Sequence, residues 1–212
     1  MKVITLPDHQ QLVELSIPVM EMFETLQGEG FHTGKAAYFV RTAGCDVGCH
    51  WCDVKESWEA SNHKKTSYRA IIDQVNSANA EIVVITGGEP LMYDLDVLTA
   101  SIAECNKKVH IETAGVYPIT GHFDWICFSP KKFKSPLTEY YERAHELKVV
   151  IYHPSDLAWA EEHATKMNKQ ALLYLQPEWS KKDQIMPLIV DHIKAHPKWR
   201  ISLQTHKYLN IP

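Results

Sequence analysis

The run Ala36-Ala37-Tyr38-Phe39-Val40-Arg41-Thr42-Ala43-Gly44-Cys45-Asp46-Val47-Gly48-Cys49-His50-Trp51-Cys52 opens as an apolar strand and ends in three thiols at a C-x3-C-x2-C spacing. Thiolates are soft ligands, suited to zinc or to iron–sulfur clusters. Three so close together fit one cluster better than a disulfide, because no short loop here has an evident pairing. A cubane cluster normally takes four cysteines, so three leave one iron open to something that is not protein. The alternative is a structural zinc knuckle, for which His50 or His63 is the nearest fourth ligand.

Outward from this stretch, short apolar runs alternate with helix-length segments. Strands are expected at residues 19–24, 36–42, 81–86, 108–112, 125–128, 147–152, 170–175 and 200–204. Between them, Ser67 to Val75, Asp94 to Ala103, Asp156 to Met167 and Asp183 to Ile193 carry apolar residues at helical spacing, with Thr66, Asp94 and Ser155 as N-caps. Such alternation implies right-handed βαβ units and a mainly parallel sheet. The chain has 212 residues, short of the about 250 typical of a complete eight-fold barrel. The expected fold is therefore α/β, a partial (open) parallel β/α barrel, in a single domain over residues 1–212.

In parallel α/β sheets the site lies at the carboxyl ends of the strands, and polar, Gly-rich segments follow strands throughout. They are Arg41 to Cys52, Thr86-Gly87-Gly88-Glu89-Pro90, Glu112-Thr113-Ala114-Gly115, Ser129-Pro130-Lys131, Gln176-Pro177-Glu178-Trp179 and Gln204-Thr205-His206-Lys207. One large site accounts for them better than separate connections do.

Composition narrows the classes. Apolar content of 45% and charged content of 23% are ordinary for a globular domain, and the net charge of −4 argues against a phosphate-backbone binder. Met1-Lys2-Val3-Ile4-Thr5 opens no apolar leader, and no long uninterrupted apolar stretch exists, so neither export nor membrane insertion is expected. A cytoplasmic location follows, and the five cysteines read as reduced thiols or ligands rather than a disulfide framework. Cys105 and Cys127 suit small buried hydrophobes. His110, His122, His145, His153, His163, His192 and His196 show no recognisable ligand spacing and read as surface or satisfied residues.

The three-cysteine loop, with Trp51 just before its last thiol, resembles the radical S-adenosylmethionine (SAM) superfamily. The likeness narrows further along the chain: Leu26-Gln27-Gly28-Glu29-Gly30 near the start, Arg41 four residues before Cys45, Thr86 to Pro90, Ser129-Pro130-Lys131, Gln176-Pro177 and Gln204 to Lys207 together resemble the 7-carboxy-7-deazaguanine synthases. That resemblance implies a [4Fe-4S] cluster on Cys45, Cys49 and Cys52. It implies SAM held by Trp51, Cys52, Asp53, Gly88, Glu89, Glu112, Ser129, Pro130, Lys131, Gln176, Pro177, Glu178 and Trp179. A pterin substrate would meet Leu26, Gln27, Gly28, Glu29, Arg41, Thr86 and the terminal carboxylate of Pro212.

The same resemblance implies the chemistry: a deoxyadenosyl radical takes hydrogen from C6 of 6-carboxy-5,6,7,8-tetrahydropterin, the ring contracts, ammonia leaves, and SAM is regenerated. Arg41 would pair with the 6-carboxylate. Flavodoxin or ferredoxin as electron donor and a homodimer belong to the same expectation, as does the absence of nucleic-acid and membrane partners. Mg2+ is implied too, with Asp53 beside it, but Val54 stands where the family usually carries a Thr or Ser ligand and offers no side-chain oxygen. Rival readings are a glycyl-radical activase sharing the loop, an iron–sulfur electron carrier needing a fourth thiol, and a zinc-stabilised binding module.

Overall fold

The computed structural model describes residues 9–212; Met1 to Thr5, read above for a leader, lie outside them. The elements run α1 (His9–Glu14), β1 (Ser16–Leu26), β2 (Ala36–Thr42), β3 (Lys65–Ser67), α2 (Tyr68–Ser77), β4 (Ile82–Gly87), α3 (Asp96–Ala103), β5 (Lys108–Thr113), β6 (Trp125–Phe128), α4 (Glu139–Arg143), β7 (Glu146–Ile151), α5 (Asp156–Ala164), β8 (Leu172–Pro177), α6 (Lys182–Ala195), β9 (Trp199–Ile201) and α7 (Thr205–Leu209). The strands form one nine-stranded sheet in the order β3-β1-β2-β4-β5-β6-β7-β8-β9. From β2 to β9 every neighbour is parallel, while β1 is antiparallel to both β2 and β3. This is the expected open parallel α/β sheet, edged by an antiparallel hairpin. No helix of the described residues is long and apolar enough to cross a membrane.

Strand alternation divides the sheet into two faces. Tyr38, Val40, Val83, Ile85, Val109, Ile111, Leu147, Val149 and Leu175 belong to the main core, with Ile71 and Val75 of α2 and Leu98 and Ile102 of α3. The residues between them point to the other, concave face. Ala37, Phe39, Ile82 and Val84 line its lower part with Phe23. Further along the same strands the alternation puts Arg41, Thr86, Glu112, Lys148 and Gln176 on that face.

The β1–β2 connection does not lie on the rim where the other polar clusters emerge. Because β1 runs against β2, Leu26 pairs with Ala36 at the amino end of β2. From there the loop crosses the concave face: Gly30 N donates to Ser202 Oγ at 3.0 Å, Phe31 N to Glu146 Oε2 at 3.0 Å, and Thr205 N to the Gly28 carbonyl at 2.9 Å. Phe31 stacks on Trp125 and Trp125 on His145, each at 5.1 Å. The loop thus closes the amino end of the half-barrel. Gly30 permits this: its φ is +63°, and an added Cβ would fall 2.1 Å from Glu146 Oε1.

Several local expectations are corrected. The first strand is eleven residues long rather than six, because its whole length pairs with β2 or β3. The last strand ends at Ile201, and residues 205–209 turn into α7. Ser67, not Thr66, caps α2, accepting from Ala70 N at 3.3 Å. Asp94 turns the chain ahead of α3 by accepting from Asp96 N at 2.9 Å, and Leu95 holds the cap position. At α5 the Ser155 hydroxyl does not cap; Asp156 instead accepts from Tyr152 N and His153 N, each at 2.8 Å, and the helix stops at Ala164. Cys105 is half-buried, whereas Cys127 is buried.

Two of the histidines read as surface or satisfied are core residues. His110 and His163 are 6% and 5% exposed, and burial pulls the pKa of each down to about 4. Tyr141 OH and His163 Nδ1 are 2.8 Å apart, which suits a neutral ring accepting from the phenol. The unfolded chain binds protons at these sites below about pH 6.5, and the folded chain only near pH 4, so stability must fall as pH drops through that window. Urea midpoints should decline between pH 6.5 and 4, and a His110→Phe/His163→Phe variant should show a shallower decline. Parallel declines in the two proteins would assign the acid sensitivity to other groups.

Candidate active site

A cavity of about 490 Å³ opens at the carboxyl ends of the parallel strands. Of the residues expected to bind cluster, SAM or pterin, the structure puts Leu26, Gln27, Gly28, Glu29, Arg41, Cys45, Cys49, Trp51, Cys52, Asp53, Thr86, Gly88, Glu112, Ser129, Lys131, Gln176, Pro177, Glu178, Trp179 and Pro212 on its wall. Two do not reach it. Pro130, between Ser129 and Lys131 in the chain, is buried away from the wall. Glu89 is 1% exposed and spends its carboxylate on the protein, accepting from Thr113 Oγ1 at 2.6 Å, Ala114 N at 2.8 Å and Leu91 N at 3.3 Å. Burial raises its pKa, with these donors only partly offsetting the effect. Glu89 therefore ties the end of β4 to the end of β5.

The cysteine loop is seated on the two glycines ahead of Glu89. Gly88 N donates to the Thr42 carbonyl at 3.0 Å and Glu89 N to the Gly44 carbonyl at 2.8 Å. Gly87 has φ +132°, and a Cβ there would lie 2.1 Å from the Thr42 carbonyl oxygen, so no other residue fits. The backbone that approaches these glycines is the cysteine loop itself. Val47, Cys49, Ala114 and Val116 form a small apolar cluster around that loop, with Trp51 packed against it. Burial raises the Cys45 thiol and takes Cys49 to about 11, with Lys131 pulling Cys49 back.

The donor set fits an iron–sulfur cluster better than one zinc ion. Zn–S bonds of about 2.3 Å hold tetrahedral sulfurs roughly 3.8 Å apart. Among the described residues, only Glu161, His192 and His196 bring three ligand atoms within 4.8 Å of one another, so the three thiols are spread too widely for a single ion. Neither remaining cysteine supplies a fourth thiol. Cys105 Sγ donates to the Ser101 carbonyl at 3.6 Å and Cys127 Sγ to Glu146 Oε1 at 3.4 Å, and neither lines the cavity. His192 of α6 and His196 at its C-cap, which show no recognisable ligand spacing in the sequence, lie one turn apart and meet Glu161. That carboxylate is engaged by Trp199 Nε1 at 2.7 Å and Lys198 Nζ at 2.5 Å, and ties α5, α6 and β9 together.

Magnesium does not fit in the same way. Val54 brings hydrocarbon to the cavity wall, and Asp53 Oδ2 already accepts from Lys207 Nζ at 2.6 Å and Gln204 Nε2 at 3.4 Å. Burial would raise the Asp53 pKa, but these donors and the Lys207 charge hold it below the ordinary value. Beside the thiol loop, a hard cation seeking several oxygens finds the Asp53 carboxylate, one of whose two oxygens already receives an ammonium, and nothing from the Val54 side chain.

Sequence reasoning missed the centre of the site. Lys148 is 4% exposed and projects from the middle of β7 toward Glu29 and Glu112. It donates to Glu29 Oε2 and, at 3.4 Å, to Glu112 Oε2. Gln27 Nε2 donates to Glu112 Oε1 at 3.0 Å, and Gln204 Nε2 to Glu29 Oε1 at 2.9 Å. Burial works against the lysine charge, yet the carboxylates around it push its pKa well above the usual range. Glu29 is held low because Lys148 and Gln204 outweigh its burial. A signal existed: strands buried on both faces read as continuous apolar runs, so a lysine inside Leu147-Lys148-Val149-Val150-Ile151 marks an inward-facing charge. Gln204, His206 and Lys207 also line the cavity, as their place among the polar strand-end clusters implied, although none of the three was given a role of its own.

Arg41 reaches the wall with its Nε donating to Glu21 Oε1 at 2.7 Å and its guanidinium over the Phe23 ring at 5.8 Å. Gln176 and Glu178 have partners of their own: Ser202 Oγ donates to Gln176 Oε1 at 2.7 Å, and Ser180 donates to Glu178 through N at 3.0 Å and Oγ at 2.6 Å. Lys131 Nζ donates to the Ser129 carbonyl and to Ser129 Oγ at 2.5 and 2.7 Å. At the chain end, Thr25 Oγ1 donates to Pro212 O at 3.3 Å, and Ile211 joins the wall.

An open parallel half-barrel with three thiols at the carboxyl rim and no fourth beside them is the architecture of a radical SAM domain, and residues 39–168 match the model of the radical SAM superfamily. The chain is 59% identical over 196 residues to a 7-carboxy-7-deazaguanine synthase of Flavobacterium psychrophilum, covering 92% of this chain and 93% of that one. It is 45% identical over 201 residues to the synthase of Synechocystis sp., covering 95% and 96%. The crystal structure of QueE from Escherichia coli superposes with a TM-score of 0.82 at 30% identity, over 93% of this chain and 98% of that one. The chain belongs to the 7-carboxy-7-deazaguanine synthase family of the radical SAM superfamily.

Removing the Lys148 charge leaves two carboxylates facing each other out of water, a change that costs about 3–5 kcal/mol for a buried pair. Lys148→Met should lower the unfolding free energy at pH 7 by that order in urea titrations, and adding Glu29→Gln should recover part of it. A loss below about 1 kcal/mol would mean that water reaches the pair.

Proposed function

We propose that this chain converts 6-carboxy-5,6,7,8-tetrahydropterin to 7-carboxy-7-deazaguanine, a radical ring contraction with loss of ammonia that feeds queuosine and other 7-deazapurines. The observation that carries the proposal is the single cavity joining two chemistries: a three-thiol loop on one wall and a fixed set of hydrogen-bonding groups for a polar heterocycle on another. A [4Fe-4S] cluster on Cys45, Cys49 and Cys52 with SAM bound beside it would supply the hydrogen-abstracting carbon radical.

The protein's own work is binding and orientation. Gln27, Glu29, Glu112 and Lys148 present donors and acceptors whose mutual bonds are already made, so the pterin edge meets groups that need little reorganisation. Arg41 is the partner for the 6-carboxylate, with its Nη donors beyond the Glu21 contact. Trp51 and the Gln176 to Trp179 loop form the side nearer SAM, with Gly88 leaving backbone exposed to it. Phe23, Phe39, Trp58 and Ile211 supply apolar wall, which excludes water and competing hydrogen donors from the reacting carbon. The product differs from the substrate by ammonia alone, so the hydrogen removed must be returned and SAM is recovered. Flavodoxin or ferredoxin is the proposed reductant and a homodimer the proposed assembly. The magnesium that the family resemblance implies gains no side-chain oxygen from Val54 and meets an Asp53 already bonded to Lys207, and no step is assigned to it.

Anaerobic reconstitution with iron and sulfide, then incubation with SAM, dithionite and the carboxytetrahydropterin, should yield 7-carboxy-7-deazaguanine by mass and absorbance. Alanine at Cys45, Cys49 or Cys52 should abolish it. A colourless preparation with zinc and no iron would select the binding-module reading instead. Loss of one charge-assisted contact costs about 1.5–3 kcal/mol, so Arg41→Ala should raise KM for the pterin roughly ten- to a hundredfold while leaving KM for SAM nearly unchanged. Equal rises in both would assign Arg41 to the loop rather than the carboxylate.

A further inference from the structure

The inference concerns the cation at the mouth of the cavity and rests on the reaction proposed above. Asp53 follows the last cysteine directly, and the next side chain, Val54, has no polar atom. The ammonium of Lys207 comes from α7, far away in sequence, and is fixed from two sides. Asp53 Oδ2 accepts from it at 2.6 Å, and the Trp179 ring lies beneath it at 5.2 Å. Trp179 is held in turn by Tyr208, edge-on at 5.2 Å, and by Lys182 over its face at 4.7 Å. Gln204, one helical turn before Lys207, donates to Asp53 and to Glu29 and so links this corner to the Lys148 network.

We propose that Lys207 is the resident cation for the substrate's carboxylate in this enzyme, and that catalysis here needs no divalent metal. A lysine ammonium has three donors, and Asp53 takes one of them. Lys207 lines the same cavity as Asp53, Cys52 and Pro212, so a carboxylate entering beside the thiol loop meets a charge already in place. Mg2+ at this corner would require Lys207 to withdraw from Asp53 or to lie against a dication, and it would gain no oxygen from Val54. The substitution at Val54 and the salt bridge at Asp53 are thus two parts of one exchange, a metal site replaced by a side-chain charge. Lys207 is a second cation for the substrate, alongside Arg41.

The test uses the reconstituted holoenzyme, passed over chelating resin and assayed with and without millimolar Mg2+, with Mn2+ as a paramagnetic stand-in for Mg2+. Turnover should change by less than about twofold, and the electron paramagnetic resonance signal of free Mn2+ should be undiminished by enzyme carrying SAM and pterin. Lys207→Met should raise KM for the pterin roughly tenfold or more with KM for SAM unmoved, and Lys207→Arg should stay close to the parent protein. Uptake of about one Mn2+ per chain on pterin addition, activity that depends on Mg2+, or a Lys207→Met enzyme with an unchanged pterin KM would each overturn the proposal. If the parent enzyme cleaves SAM but makes no deazapurine with or without metal, the assigned reaction fails and this inference with it. If it makes deazapurine only with Mg2+, the reaction stands and this inference alone falls.

Discussion

A lysine ammonium kept from water inside a half-barrel must find its compensation in the protein, and Lys148 finds it in residues from two other parts of the chain. Glu29 comes from the β1–β2 loop and Glu112 from β5, with Gln204 bracing Glu29 from the approach to α7. An unpaired charge in that position would cost several kcal/mol, so the loop, two strands and the terminal segment are held to one mutual arrangement. That arrangement is the cavity. One ammonium is shared between two carboxylates, and neutral amides take up the remaining oxygens, which leaves the site structured and polar. A heterocycle bearing many donors and acceptors suits such a surface, because the protein groups keep their geometry whether or not the ligand is there.

The opposite wall is built on a different constraint, close backbone approach. Gly87 and Gly88 let the thiol loop rest on the end of β4, and Glu89 fastens that end to β5. Burial makes the free Cys45 and Cys49 thiols poorer acids, and the nearby Lys131 ammonium opposes that tendency at Cys49. Metal ligation deprotonates them outright. The two walls therefore do different jobs: one is a rigid seat for an inorganic group, the other a preformed surface for an organic one.

Much of the fold was legible because parallel strands and their rim loops leave plain marks: apolar runs followed by Gly-rich polar segments, with three thiols after one of them. What escaped was topological. Nothing in Leu26 to Gly30 says that the loop leaves the amino end of the sheet and returns across its interior, since that follows from β1 being antiparallel. The cap of α2 was misplaced by one residue, and Ser155 holds the cap position of α5 without a side-chain bond, because neighbouring Ser, Thr and Asp residues cap equally well in the abstract and backbone direction decides among them. Glu89 was read by its motif as a SAM contact, but its carboxylate is taken up by the Thr113 hydroxyl and two backbone donors. Lys148 carried a real signal, a charge inside an apolar strand, which a search for apolar runs alone passes over. Glu161, His192 and His196 were hidden for a related reason, because only the packing of α5 against α6 brings them together.

The terminal segment shows how little of the site is self-supporting. α7 spans five residues, well below the length at which an isolated helix is stable in water. Its position is set instead by contacts to others: Thr205 bonds Gly28 through both N and Oγ1, Gln204 bonds Glu29, Lys207 bonds Asp53, and Pro212 receives Thr25. The β1–β2 loop, for its part, relies on Ser202 and Thr205 to stay across the barrel. Neither segment has enough buried apolar surface to be ordered alone, and each supplies the hydrogen bonds that the other lacks. Ordering of the loop that bears Gln27 and Glu29 and ordering of the segment that bears Lys207 and Pro212 are consequently coupled, although the loop has bonds of its own to β5 and β7. A ligand touching both draws on that coupling, because the first contact it makes has already reduced the entropy cost of the second.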